Sequence, residues 1–193
     1  MFYWFIKIFL YIPFWILFPY VIKGEKFPKG KCIYLGNHRS IVDPVMFVFA
    51  FRRTQHCLSK KELFKNWFMR RLWLGMKAIP IDRKKVDIST VKTCLKLLKE
   101  DKVLTIFPEG TRNKTDEPLL ELKEGAGVFA IKSGAPLVPI WLSRKPTLFR
   151  LTKIYVGEPF YLTKEDMQNS TEIIKQKMLE CREKALYKKK KQK

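Results

Sequence analysis

The chain has 193 residues, with 39 Lys and Arg against 18 Asp and Glu, for a formal net charge of +21 at pH 7. With 47% hydrophobic and 14% aromatic residues it is not an intrinsically disordered polycation, which would lack the apolar surface to collapse. A charge of that size calls for an anionic partner: nucleic acid, an anionic membrane surface or a phosphorylated substrate. The length suits one domain of ordinary size plus a short appendage. Cys32, Cys57, Cys94 and Cys181 are dispersed, and His38 and His56 are the only histidines. Neither a disulfide framework nor a zinc site is expected, and the cysteines read as free thiols in a reducing compartment.

Residues 1–22 differ in kind from the rest. Lys7 is their only charge, and ten of the chain's aromatic residues fall there. One helix over this segment would reach about 33 Å, enough to span a bilayer core. Pro13 and Pro19 are expected to interrupt or kink it, and its Trp and Tyr residues favour the headgroup level. A broken or in-plane anchor is therefore preferred to a simple span. Lys23, Lys26, Lys29 and Lys31 follow as a basic collar, which places the next segment on the cytoplasmic face of the cell membrane. The expected organisation is an anchor over 1–25, one domain over 26–187 and a basic tail over 188–193.

Beyond the anchor, strand and helix signals alternate. Strands are expected at Cys32–Leu35, Gln55–Ser59, Ala78–Ile81, Val103–Phe107, Leu137–Leu142 and Ile154–Val156. Helices are expected at Pro44–Phe51, Asp87–Glu100, Gly125–Ser133 and Thr163–Leu186. In the second of these, Ile88, Val91, Leu95 and Leu98 fall at helical spacing. In the last, Thr163 with Asp166 approximates a capping box, and Ile173, Ile174, Met178, Cys181 and Ala185 form an apolar stripe. Strands separated by helices predict an α/β fold: a mostly parallel central sheet flanked by helices, with the N-terminal hydrophobic segment as a membrane anchor.

His38 follows the first of these strands, so it lies at a strand's carboxyl end, where open α/β sheets bind ligands. Asp43 before Pro44 reads as a helix cap. Across the loop Asp43 could also accept a hydrogen bond from one imidazole nitrogen and leave the other as a base. The alternative is a carboxylate that only caps and a histidine that only satisfies loop backbone. The run Phe107-Pro108-Glu109-Gly110-Thr111-Arg112 follows another strand. It offers close backbone approach at glycine, a hydroxyl, and a guanidinium suited to phosphate. Ile79-Pro80-Ile81-Asp82-Arg83 ends a third strand in a charge pair, and Pro136–Ile140 is a proline-bracketed strand without a reactive group.

Taken together, these four blocks resemble the 1-acyl-sn-glycerol-3-phosphate O-acyltransferase (lysophosphatidate acyltransferase) family of glycerophospholipid acyltransferases. The family's His, four residues, Asp motif corresponds to His38 and Asp43. Its Arg motif corresponds to Arg83, its Phe-Pro-Glu-Gly-Thr-Arg motif to Phe107–Arg112, and its Pro-rich strand to Pro136–Ile140. The resemblance covers about residues 25–160. Arg39, Asn113 and Leu122 depart from residues frequent in the family.

The resemblance implies an acyltransferase that moves a fatty acyl group from a thioester donor to the free hydroxyl of lysophosphatidate, giving phosphatidic acid. In it His38 is the general base and Asp43 its orienter. Arg83 and Arg112 hold the substrate phosphate, Lys60 assists, and Glu109, Gly110 and Thr111 shape the binding loop. Ser40 lacks the Gly-x-Ser-x-Gly elbow of a nucleophile. No metal or cofactor is expected. The donor is acyl-CoA or acyl-carrier protein, the latter suited by the basic surface. Lys61, Lys65, Arg70 and Arg71, interleaved with Trp67 and Phe68, suit an anionic membrane surface. Two other readings stand beside this one: acylation of glycerol-3-phosphate or another lysolipid, and a non-catalytic membrane or nucleic-acid binder. No zinc-finger or RNA-binding signature supports nucleic acid as a partner.

Overall fold

A computed structural model describes residues 2–82 and 88–190. The strands are β1 (Tyr20–Gly24), β2 (Cys32–Gly36), β3 (Gln55–Lys60), β4 (Ile79–Ile81), β5 (Val103–Ile106), β6 (Leu137–Leu142) and β7 (Thr152–Val156). They form one sheet in the order β1-β7-β6-β2-β5-β3-β4. Helices are α1 (Phe2–Leu17), α2 (Asp43–Ala50), α3 (Trp67–Gly75), α4 (Ile88–Lys99), α5 (Gly125–Ser133) and α6 (Ser170–Lys190). Pairing is parallel from β6 through β2, β5 and β3 to β4. Strand β7 runs antiparallel to β6, and β1 runs parallel to β7. The expected α/β architecture with a mostly parallel sheet is what forms.

Strands β2, β5 and β6 are buried along their whole length. They read as unbroken apolar runs because helices cover both faces of the sheet. Alternate residues divide between two cores. Ile33, Leu35, Leu104, Ile106 and Leu137 pack with α4, α5 and α6. Cys32, Tyr34, Val103 and Val138 pack with α1, α2 and α3. The four cysteines are free and buried. Burial pushes the Cys32 thiol up to about 11 and those of Cys94 and Cys181 to about 12, which keeps them in the unreactive thiol form.

The N-terminal segment departs from expectation in two ways. Helix α1 runs unbroken through Pro13, which lies on its exposed side. A proline costs one ladder bond, and the other turns carry the helix past it. Helix α1 ends at Leu17, where the residue before Pro19 is barred from helical geometry. Its 16 residues reach about 24 Å, and no helix among the described residues is long and apolar enough to cross a membrane. Finally, Tyr20–Gly24, within the segment expected as anchor, is an edge strand of the main sheet, paired with β7. At the other end of the chain, α6 runs to Lys190.

A narrow stripe docks α1. Tyr3, Ile6 and Lys7 are buried, and the Phe14 ring stacks on Phe49 with centroids 4.4 Å apart. The Lys7 ammonium donates to the carbonyl oxygens of Phe51 and Arg52, just past the end of α2. A cation there complements the helix dipole, while burial pushes the Lys7 group down to about 8.

Two further expectations shift. Ile88 is exposed, because α4 turns Thr90, Cys94 and Leu98 inward, with Val91 and Leu95 half-buried. The Thr163–Asp166 pair forms, with the Asp166 carboxylate accepting the Thr163 N–H at 2.7 Å and its hydroxyl at 2.9 Å. It closes a short 3-10 turn at Glu165–Met167, and the long helix starts later, at Ser170.

Candidate active site

Because β2, β5, β3 and β4 are parallel, their carboxyl ends share one edge of the sheet. That edge receives His38 after β2, Glu109 to Arg112 after β5, and Lys60 as the last residue of β3. Asp82 follows β4, and Arg83, expected to bind phosphate, lies outside the described residues.

The His38 and Asp43 side chains meet across the loop. His38 Nδ1 lies 3.0 Å from Asp43 Oδ2. The same oxygen accepts the backbone N–H groups of Arg39 and Ser40, each at 2.6 Å. Asp43 is fully buried and His38 is 8% exposed. An ionised carboxylate can only accept, so the proton between the pair belongs on Nδ1. The Nε2 lone pair is then free, and Nε2 has no protein partner among the described residues.

Asp43 is not the helix cap expected from sequence. Val42 holds that position without a side-chain bond, and Asp43 is the first residue of α2. Its carboxylate turns back into the loop because two converging N–H groups and an imidazole offer more than one helix N–H would. It also lies in the first turn, where negative charge is favoured.

The loop after β5 holds the His38 backbone from both sides. Glu109 Oε1 accepts the His38 N–H at 2.7 Å, and the Asn113 N–H donates to the His38 carbonyl at 2.7 Å. Glu109 Oε2 accepts the Leu120 N–H at 3.0 Å. Glu109 is thus a buried brace between two backbone segments, and it forms no ion pair with Arg112 among the described residues. Asn113 was not singled out as a site residue. Its Oδ1 accepts from the Thr115 N–H at 2.9 Å and hydroxyl at 2.8 Å, and its Nδ2 donates to the Glu117 carbonyl. Arg39 donates to that carbonyl too, at 2.9 Å. An Asn four residues before Glu-Pro is a turn signal that could have pointed to it.

Below the loop, the Phe107 ring lies 4.6 Å from the imidazole, centroid to centroid. A β-carbon on Gly36 would sit 2.7 Å from Phe107 and 2.8 Å from Phe47, so only glycine lets those rings support His38. Gly110 has φ +65, and its N–H donates to the Phe107 carbonyl in the turn that presents Thr111 and Arg112.

The expected phosphate ligands are set differently. Thr111 and Arg112 are exposed, and Arg112 has no side-chain partner among the described residues. Lys60 pairs with Glu62 at 3.2 Å, with both side chains 52% exposed, a surface pair of small worth. Beside Gly110 opens a cavity of about 560 Å³ with mainly apolar walls, including Leu58, Val91, Ile106, Leu122 and Phe129. Phe107 touches both this cavity and His38.

A buried His–Asp pair at the carboxyl edge of a parallel sheet, beside an apolar cavity and exposed cations, is an arrangement that can serve base-assisted transfer. Residues 20–143 match the profile of the Acyltransferase family, and the chain belongs to that family. It is similar to the 1-acyl-sn-glycerol-3-phosphate acyltransferase of Bacillus subtilis (strain 168), 36% identical over 178 residues, covering 85% of this chain and 88% of that protein. The Cocos nucifera protein of the same name is 31% identical over 146 residues, covering 74% of this chain and 47% of that protein. The chain therefore spans most of the first relative and about half of the second. Its fold matches the crystal structure of the 1-acyl-sn-glycerophosphate (LPA) acyltransferase PlsC from Thermotoga maritima, with a TM-score of 0.66, 23% identity, and coverage of 92% of this chain and 78% of that chain.

Proposed function

We propose that this chain transfers a fatty acyl group from a thioester donor to the free hydroxyl of 1-acylglycerol-3-phosphate, forming phosphatidic acid for phospholipid synthesis. The observation that carries the reading is the buried His38–Asp43 pair, in which Asp43 engages Nδ1 of His38 and leaves Nε2 to serve as the base. His38 Nε2 takes the hydroxyl proton as the oxygen attacks the thioester carbonyl carbon. Asp43 stabilises the imidazolium that forms. The tetrahedral intermediate expels the thiolate with cleavage of the C–S bond, and the imidazolium returns the proton to sulfur. No covalent acyl-enzyme, metal or cofactor enters this scheme.

Arg112 and Arg83 are assigned to the acceptor phosphate, with Lys60 assisting from the neighbouring strand. The assignment of Arg83 rests on the motif alone. Glu109 braces His38, and Gly110 and Thr111 form the turn that carries Arg112. The apolar cavity beside Gly110 suits an acyl chain by its walls. Acceptor and product are bilayer lipids, and the outward side of α1, with Ile8 and Phe9 more than 60% exposed, supports a helix lying in the membrane plane. The basic residues Lys23, Lys26, Lys29 and Lys31 support a cytoplasmic-face assignment through the positive-inside bias.

The test pairs acyl-CoA and acyl-carrier protein as donors with lysophosphatidate, glycerol-3-phosphate and other lysolipids in detergent. Turnover highest on lysophosphatidate, and lost in His38→Ala, is the expected result. Preference for another acceptor would overturn the substrate assignment, and full turnover by a folded His38→Ala would overturn the role of His38.

A further inference from the structure

The edge that holds His38 carries a second feature, which the reaction does not use. Residues 143–151 link β6 to β7. Since β6 is parallel to β2 and β7 returns antiparallel, this loop leaves the sheet beside His38. Asn37, the neighbour of His38, fastens its root: Nδ2 donates to the Leu142 carbonyl at 3.2 Å, and Oδ1 accepts the Leu142 N–H at 2.8 Å.

The loop's tip is apolar and turned outward. Leu148, Phe149 and Leu151 are 53%, 69% and 50% exposed. Phe149 has φ 57, a left-handed conformation that a bulky side chain rarely adopts. It is held there by α1. The Phe149 N–H donates to the carbonyl of Leu17, the last residue of that helix, at 2.7 Å, and the Thr152 N–H donates to the Pro19 carbonyl at 2.8 Å. Helix ends leave such carbonyls unpaired, so the contact satisfies α1 while fixing the tip. Trp15, Ile16 and Leu17 are themselves 46%, 55% and 40% exposed, so the apolar surface continues from α1 onto the loop. Arg144, Lys145 and Arg150 are exposed around the tip, and residues 143–153 contain no acidic side chain.

We propose that residues 144–151 form a second membrane-inserting element. Leu148, Phe149 and Leu151 enter the acyl layer of an anionic leaflet, and Arg144, Lys145 and Arg150 bind its phosphates. Apolar side chains rimmed by cations are the composition of interfacial binding, and the charge selects an anionic lipid surface over a neutral one. The contact brings the leaflet to the edge where His38 waits, so a lysolipid hydroxyl need not leave the membrane to react. The proposal rests on the lipid-surface reading above and adds the element that sets the site's depth.

The test uses the full chain. The native cysteines are buried, so Phe149→Cys creates an exposed thiol for a nitroxide label. Tyr161→Cys is the control. It is 67% exposed and follows Phe160, which pairs with Leu137 at the opposite edge of the sheet. With vesicles of phosphatidylglycerol and phosphatidylcholine, the label at 149 is expected to become shielded from a water-soluble nickel chelate and open to oxygen. The label at 161 is expected to stay in water. The triple change Leu148→Ser, Phe149→Ser and Leu151→Ser is expected to lower vesicle partition about tenfold or more.

A label at 149 that stays aqueous while the chain sediments with vesicles overturns the loop proposal and leaves the acyl-transfer reading intact. Shielding at 149 by self-association without vesicles overturns it in favour of a second copy. Burial of the label in vesicles by a chain that transfers no acyl group supports the loop and overturns the reaction. A chain that does not bind vesicles overturns the loop proposal and the lipid-surface reading it rests on, while turnover in detergent still decides the reaction.

Discussion

The two halves of the candidate site are built on opposite terms. The half around His38 is buried, and its hydrogen bonds run largely to backbone: Asp43 to two N–H groups, Glu109 to two more, Asn113 to the His38 carbonyl. The half around Arg112 and Lys60 is exposed, with one weak surface pair. Fixed groups lower the reorganisation needed when charge develops on the imidazole. Mobile cations can follow a headgroup held in a fluid leaflet, and they bind it through charge more than shape. The division predicts that substitutions in the first half reduce turnover and those in the second weaken acceptor binding.

Removing the base gives the largest effect. His38→Ala should lower kcat about 10³-fold, the range of a lost general base, with KM for lysophosphatidate little changed. A parallel rise in KM would show that the halves are not separate. Asp43 allows a finer cut. In Asp43→Asn the two N–H groups that converge on Oδ2 should select the amide oxygen for that place. The new NH2 then falls where Oδ1 stands without a partner. His38 keeps its tautomer and loses only the charge, for a kcat loss of about 10²-fold at the low end of base catalysis. Asp43→Ala strands both N–H groups as well, and should cost about 1–3 kcal/mol of stability for each buried one. Thermal melts and kcat on both variants check this; equal melting temperatures would refute the backbone role.

Glu109 tests the brace. Glu109→Gln offers one acceptor oxygen where two N–H groups, of His38 and Leu120, need one each. The expected result is a loss of about 1–3 kcal/mol, read as a fall of about 5 °C in Tm, with kcat down about tenfold. An unchanged Tm with lost activity would instead make Glu109 a group that touches substrate.

Much of this was legible from residues near one another in sequence. The α/β alternation, the strand ends carrying His38 and Glu109, and the bounds of α5 follow from apolar runs and their breakers. The Phe107–Arg112 run pointed to the site by composition. What stayed hidden depends on partners far along the chain. The His38 N–H meets Glu109 71 positions away, and the His38 carbonyl meets the Asn113 N–H farther still along the chain. Strand β1 was hidden because Tyr20–Gly24 continues an aromatic segment, and it becomes a strand only by pairing with β7. Lys7, the only charge in its segment, proves to be one of the contacts that dock α1.

Arg112 gives the smallest of these effects and the one that separates the halves most cleanly. Its guanidinium is exposed and sits at the sheet edge on a turn set by Gly110. A charge-assisted bond to phosphate is worth about 1.5–3 kcal/mol when well formed, and solvent access places this one at the low end. Arg112→Ala should therefore raise KM for lysophosphatidate about tenfold, leaving kcat within about twofold. Arg112→Lys should recover part of that loss through charge alone, since a lysine keeps the cation and gives up the planar fork. The discriminating measurement is salt dependence. If Arg112 acts as a mobile cation, the difference in KM between wild type and Arg112→Ala should shrink as ionic strength rises and the Debye length falls toward about 3 Å. A difference that persists at high salt, accompanied by a fall in kcat, would mean that Arg112 is ordered against the reacting lipid and belongs with His38.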